Sequence, residues 1–305
     1  YSKAEPLFLK VLEVSRRVQG EEHPRTLTVM NNLATVYRDQ GQFAKAEPLL
    51  DKALEVSRRV LGEEHHGTLQ VMNSLAALYY AQSQYAKAET LFVKVLEFRR
   101  RVQGEEHPHT LDSMSSLAAQ YLAQGQYPKA EPLSVKTLEV RRRVQGEEHP
   151  DTLRAMNNLA ALYHQHQFAK AEPLYVKALE VSRRVLGEEH PATISTMNNL
   201  AALYQDQGRF AKAELLCREA LDKARKHHAE GSKPVADALA ILGFNLLLQK
   251  KSAEAEPLLR ECLAFRALKE PDAWRTFNTK SQLGGTLLDQ KKYADAEPLL
   301  LVGYE

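Results

Sequence analysis

Cysteine is scarce: the 305 residues contain two, Cys217 and Cys262, far apart and in no CxxC pair. That argues against a disulfide framework and makes a reducing cytoplasm the expected setting. Long hydrophobic runs are missing. None approaches the roughly 20 residues that span a bilayer, and no signal peptide is visible, so no membrane association is expected. A surplus of either charge is missing too. With 41 Lys and Arg against 39 Asp and Glu, nothing draws the chain as a whole toward nucleic acid or an anionic surface. No Gly-rich loop, His-Arg-Asp or Asp-Phe-Gly is found, and no Ser-His-Asp pattern stands out from helix-face polar residues. No enzyme, cofactor or metal site is expected.

What the sequence has is a repeat. A segment around Ala-Glu-Pro recurs with leading residues Tyr1, Phe43, Tyr85, Tyr127, Phe168, Phe210, Ser252 and Tyr293, in steps of 42 or 41 residues. A second block, Glu-Glu-His-Pro, recurs at Glu21–Pro24, Glu105–Pro108, Glu147–Pro150 and Glu188–Pro191, and ends in His at Glu63–His66. Self-similarity at this period marks a repeat array. The chain opens on Tyr1-Ser2-Lys3 inside a repeat, so a piece of a longer protein is expected.

Each period reads as two helices. In the unit from Pro24, Leu27, Met30, Leu33, Ala34 and Tyr37 form one apolar face, which predicts a helix over about 26–40. Pro24 suits its entry and Gly41 its end. Ala46, Leu49, Leu50, Ala53, Leu54 and Val56 predict a second helix over about 43–60, with Pro48 near its first turn, where disruption is smallest. Second helices also carry Glu four residues before Arg: Glu13/Arg17, Glu55/Arg59, Glu97/Arg101, Glu139/Arg143 and Glu180/Arg184. That order suits i, i+4 ion pairs, and the Arg-Arg and Arg-Arg-Arg runs read as a solvated outer face.

Met30, Leu33-Ala34, Tyr37, Gly41, Phe43, Ala46 and Ala53, with their counterparts Met72, Leu75-Ala76, Tyr79, Tyr85 and Ala88, resemble the tetratricopeptide (TPR) pattern. Armadillo and HEAT arrays have a similar period but lack this signature. The 42-residue period with Asn-Asn-Leu-Ala and Gly-Glu-Glu-His-Pro resembles the long variant of kinesin light chains. The likeness is strong over residues 1–230, a regular array, and weaker over 231–305, which is expected to continue the same solenoid. There Trp274-Arg275-Thr276-Phe277-Asn278 and Leu283-Gly284-Gly285 resemble repeats attached to bacterial serine/threonine kinases. The resemblance implies an all-α, right-handed superhelical solenoid of antiparallel helix pairs, with seven first and eight second helices.

The family lines its concave groove with first-helix residues. Carried onto this sequence, the groove is Thr28, Asn31, Thr35 and Arg38; Gln70, Asn73 and Tyr80; Asp112, Ser115 and Leu122; Arg154, Asn157 and His164; Ser195, Asn198 and Gln205. Asp237, Ala240, Phe244 and Leu247 extend it. The framework hardly changes between copies, whereas the first and last groove positions vary, as in a surface tuned to a ligand. The second position stays Asn31, Asn73, Ser115, Asn157, Asn198. Asn carries both a donor and an acceptor for a peptide main chain; the alternative is an Asn tolerated on a polar face or inherited by duplication. Arg38, Arg154 and His164 would meet acidic ligand groups, and Tyr80, Leu122, Phe244 and Leu247 apolar ones.

The expected function is binding of a protein or extended peptide, as an adaptor or sensing module. The alternative is self-association, or attachment to a membrane or filament through the outer Arg face. The loop histidines His23, His65, His107, His149 and His190 lie one repeat apart, too far to share a metal, and read as caps of the helices that follow. His164, His166 and His227-His228 read as groove or loop residues, and Cys217 and Cys262 as core.

Overall fold

The structure, a computed structural model, describes residues 4–227, 232–269, 271 and 273–302. Tyr1, Ser2, Lys3 and His228 lie outside the described residues. By contact the chain divides into two compact units, with the division between Val144 and Gln145. The change of repeat character expected at residues 230 and 231 falls outside the described residues.

Among the described residues there are fifteen α-helices and no strand. The first unit holds α1 (Ala4–Gln19), α2 (Pro24–Asp39), α3 (Phe43–Leu61), α4 (His66–Ala81), α5 (Tyr85–Gln103), α6 (Pro108–Ala123) and most of α7 (Tyr127–Gln145). The second holds α8 (Pro150–His164), α9 (Phe168–Leu186), α10 (Pro191–Asp206), α11 (Phe210–His227), α12 (Lys233–Leu248), α13 (Ser252–Lys269), α14 (Trp274–Asp289) and α15 (Tyr293–Val302). Even-numbered helices are the seven first helices and odd-numbered ones the eight second helices. Within the first unit consecutive helices from α1 to α6 pack against each other, within the second those from α8 to α15 do, and α2 adjoins α4 as α10 adjoins α12.

The residues that carry the repeat pattern make the core. Met30, Met72, Met114, Met156 and Met197 are fully buried, one in each first helix from α2 to α10, and each such side chain removed from water contributes about 1.5–3 kcal/mol. Ala46, Ala88, Ala130, Ala171, Ala213, Ala255 and Ala296 are fully buried near the starts of the second helices. There a methyl group lets neighbouring backbones come close. The small residue of the first helices, from Ala34 to Ala201, becomes Gly243 and Gly284 in the last two, where a Cβ would stand 2.7 Å from Leu259 and Leu300.

Every turn within a pair except that between α8 and α9 uses a positive φ, met by Gly41 (74°) and Gly125 (68°) but also by Ser83 (59°), Lys250 (61°) and Lys291 (60°). The loop between pairs is a cap. His23 Nδ1 accepts from the Arg25 amide at 3.2 Å, and His65, His107, His149 and His190 do the same two residues on. Fully buried threonines fix the other side of that loop. Thr26, Thr68, Thr110 and Thr193 each donate to a glycine carbonyl six residues earlier, at 2.7–2.8 Å.

Three expectations are corrected. Pro48 sits six residues into α3, inside the helix; Pro132, Pro173 and Pro257 do likewise. These prolines are exposed, so the carbonyl each leaves unbonded faces water rather than core. The outer arginines do not close on the glutamate four residues earlier. Arg59 reaches Glu22 at 2.6 Å, Arg143 reaches Glu106 at 2.6 Å, Arg184 reaches Glu148 at 2.7 Å, and Arg101 pairs with Glu64. Each thus joins a second helix to the loop that precedes its helix pair, where packing brings the carboxylate within reach. The Arg-Arg-Arg runs are not solvated throughout: Arg99 and Arg141 are 6% and 1% exposed. Both cysteines are buried, and burial pushes the Cys217 thiol up to about 12 and raises that of Cys262.

Candidate functional site

The first helices place the residues expected to line a groove at three depths. Thr28, Gln70, Tyr80, Arg154 and Ser195 are exposed. Thr35, Arg38, Asn73, Asp112, Ser115, Leu122, Asn157 and His164 are half-buried, and Asn31, Asn198 and Gln205 are buried. The asparagines do not project from the helix surface. They lie in the seams between neighbouring first helices, as Asn157 shows by donating to Thr196 Oγ1 at 2.9 Å, from α8 to α10. The Oδ1 atoms of Asn31, Asn73, Asn157 and Asn198 are all buried without a hydrogen-bond partner among the described residues. A buried acceptor left so carries a cost of about 1–3 kcal/mol.

The hydroxyls are turned inward on their own helices. Thr28 donates to the Pro24 carbonyl, Thr35 to Asn31 and Ser115 to Leu111, each at 3.0 Å. Arg38, Arg154 and His164 have acidic neighbours. Arg38 pairs with Asp39 at 2.7 Å, Arg154 with Asp151 at 2.9 Å, and His164 Nε2 meets Asp206 at 2.8 Å, bridging α8 and α10. Gln205 donates to the Ile241 carbonyl at 3.1 Å and so ties α10 to α12. The last groove position therefore splits. Tyr80 stays open, its ring 5.9 Å from that of Tyr85, while His164 and Gln205 serve contacts between repeats.

The first position has partners too. Arg141 Nη2 donates to Asp112 Oδ1 at 2.7 Å, and Arg266 Nη2 to Asp237 Oδ1 at 2.8 Å. Sequence reading missed these buried arginines. The signal was present in the comparison of copies: Arg99, Arg141 and Arg266 occupy a second-helix position held elsewhere by Ser15, Ser57 and Ser182.

One recess gathers three predicted groove residues. Thr28, Asn31 and Gln70, with Ser57, His66 and Gly67, line a cavity of about 260 Å³ between α2, the end of α3 and the start of α4. His66 stands where the other loops have Pro. Burial lowers its pKa, with His109 and Arg99 adding to the effect, which favours the neutral ring in the cavity.

The Tetratricopeptide repeat family profile matches residues 1–49, 29–101, 70–133, 109–171 and 160–226. Tetratricopeptide repeat protein 19, mitochondrial, of Homo sapiens is 43% identical over 42 residues, a stretch that is 14% of this chain and 11% of that protein. The crystal structure of the nearly identical TPR-like repeats of a putative kinesin light chain from Podosopora anserina is 28% identical. It superposes with a TM-score of 0.58 over 68% of this chain and 99% of that one. A Rap protein complexed with Competence and Sporulation Factor shares the fold at 13% identity, with a TM-score of 0.61 over 99% of this chain and 91% of that one. No helix among the described residues is long and apolar enough to cross a membrane. Stacked helix pairs of this kind are generally non-catalytic scaffolds for protein interaction. The chain belongs to the tetratricopeptide repeat family, with repeats of the kinesin-light-chain type.

Proposed function

We propose that the chain binds an extended peptide segment of a partner protein along its first-helix face. The observation that carries this reading is the cavity at Thr28, Asn31 and Gln70. It is concave, walled by apolar Leu27, Leu61 and Val71 and furnished with polar side chains from Thr28, Asn31, Ser57 and Gln70, a recess that can both bury a ligand group and hydrogen-bond it. Exposed Tyr80, further along α4, adds an aromatic anchor of the sort that dominates binding energy. The Rap protein named above was crystallised with Competence and Sporulation Factor, which makes the peptide class a reasonable one for this fold.

Acidic ligand groups at Arg38, Arg154 and His164 would have to displace Asp39, Asp151 and Asp206. Those residues therefore contribute less to affinity than side chains without an acidic neighbour would, and Thr28, Gln70 and Tyr80 carry more. The outer Arg face is ion-paired with loop glutamates, so the membrane reading gains no support from it.

A displayed random-peptide selection on the whole chain tests this reading, with rescreening against Thr28→Ala/Gln70→Ala/Tyr80→Ala. These side chains are exposed, so the variant keeps its core. A shared motif that loses binding to the variant is the expected result. Peptides that bind both proteins equally would overturn it.

A further inference from the structure

The cavity in the first unit coincides with a position that this chain elsewhere fills from within. Ser57, 1% exposed, lines it. One repeat later the same place in α5 is taken by Arg99, and in α13 by Arg266. Arg99 Nη1 donates to the His109 carbonyl at 2.7 Å and to Ser113 Oγ at 2.8 Å. Arg266 Nη1 repeats the arrangement with the Arg275 carbonyl at 3.1 Å and Thr279 Oγ1 at 2.7 Å. Moved back one repeat of 42 residues, His109 and Ser113 become Gly67 and Val71, and both line the cavity. A second, more open recess of about 450 Å³ lies at Ser15, beside Arg25 and Val29, the same two places counted back once more.

We propose that the cavity at Ser57 receives the side chain of an arginine supplied by a bound peptide, in the place that Arg99 and Arg266 occupy in their own repeats. The inference rests on the peptide-binding reading of the first-helix face. The Gly67 carbonyl stands for that of His109. Val71 lacks the hydroxyl of Ser113, but Asn31 lies on that wall: its counterpart Asn157 reaches the hydroxyl of Thr196, which is the counterpart of Val71. Asn31 is 4% exposed and its Oδ1 has no partner among the described residues.

The chemistry favours arginine over lysine. Among the described residues that line the cavity there is no carboxylate, and Glu63 and Glu64 of the adjoining loop are held by Lys94 and Arg101. A compact, strongly hydrated ammonium is poorly served by neutral acceptors. A delocalised guanidinium, more weakly hydrated and with donors in a planar fork, makes better use of them: the hydrogen bonds of Arg99 go to two neutral acceptors, while the charge of Asp112 acts on it from beyond them.

The test is titration of the whole chain with N-acetyl-L-arginine amide, followed by backbone amide shifts, against the lysine and citrulline analogues. Saturable shifts at Asn31, Ser57, Gly67 and Gln70 are expected. Arginine should bind at least about tenfold more tightly than either analogue, a difference of about 1.4 kcal/mol. Ser57→Arg, which supplies the guanidinium from within, should abolish the response while Ser57→Ala keeps it. Should Ser57→Arg fail to fold, Ser57→Met fills the same space without charge and should also abolish it. No saturable shift, equal binding of citrulline or lysine, or an undiminished response in the folded filled variant would overturn the proposal. Selected peptides that need Thr28, Gln70 and Tyr80 yet bind Ser57→Arg as well as the parent would overturn the arginine site and leave the groove standing. Binding of the arginine probe without any selected peptide would do the reverse.

Discussion

Arg141 Nη2 donates to Asp112 Oδ1 at 2.7 Å, and 125 residues later Arg266 does the same to Asp237 at 2.8 Å. In both cases a buried second-helix guanidinium reaches the first groove position of its own repeat. Where the arginine is Ser57 or Ser182 instead, the matching groove residue is Thr28 or Arg154. Part of the variation along the groove is therefore internal pairing, in which one side chain answers another within the same repeat.

Removing the acidic partner should expose that coupling. Asp237→Asn leaves the buried Arg266 charge less compensated and should cost about 1–3 kcal/mol, held down because Asp237 is 32% exposed. In an Arg266→Ser background the same change should cost little. A double-mutant cycle on urea midpoints reads the difference, and equal costs in both backgrounds would show that the pair is not coupled.

The loop histidines should behave as helix caps. His190→Ala removes the acceptor for the Ala192 amide and should destabilise the chain by about 0.5–2 kcal/mol, whereas Asn, whose side-chain oxygen also caps, should recover most of that. Thermal or urea unfolding of the two variants separates cap from packing.

Stability should fall in acid through identifiable carboxylates. A hydrogen bond from Lys251 is the main cause that holds Glu214 down at about 2, and one from Lys292 does the same for Glu256. Each folded-state value lies below the ordinary value of 4.5. The stabilisation is therefore complete above about 4.5 and disappears as pH falls from there toward about 2. The difference in urea midpoint between the parent chain and Glu214→Gln/Glu256→Gln should be constant from pH 7 to 5 and should shrink steadily below. A gap that widens in acid would contradict the assignment.

Ser83 stands at φ 59° where Gly41 and Gly125 stand at 74° and 68°. Ser83→Gly relieves a left-handed residue and should raise stability by about 0.5–1 kcal/mol. A lower unfolding midpoint would mean that the serine is held by contacts that outweigh the strain.

Much of the fold was legible because it is written several times over. Met30, Ala34 and Ala46 recur at a fixed spacing, and the structure buries every copy. The histidine caps were legible too, since His precedes a helix-entry Pro in four of five loops. The depth of the groove asparagines was not. Helical periodicity assigns a face, but whether Asn31 points into solvent or into the seam with α4 depends on how closely two first helices approach. The destinations of Arg59 and Arg141 were hidden for a related reason. For Arg59 a local partner, Glu55, is visible in the sequence, and Arg141 has none at that spacing, while Glu22 and Asp112 are brought near only by helix packing. The cavity at Ser57 could have been read from the Ser/Arg alternation among copies, had burial at that position been suspected.

The measurement closest to the central claim is a hydroxyl-radical footprint of the chain with and without a selected peptide. Tyr80 is exposed on the first-helix face, while Val60 and Val102 are exposed near the ends of second helices. Loss of Tyr80 labelling with Val60 and Val102 unchanged is the result the account predicts. Protection of Val60 and Val102 with Tyr80 still labelled would place the ligand on the second helices and contradict it.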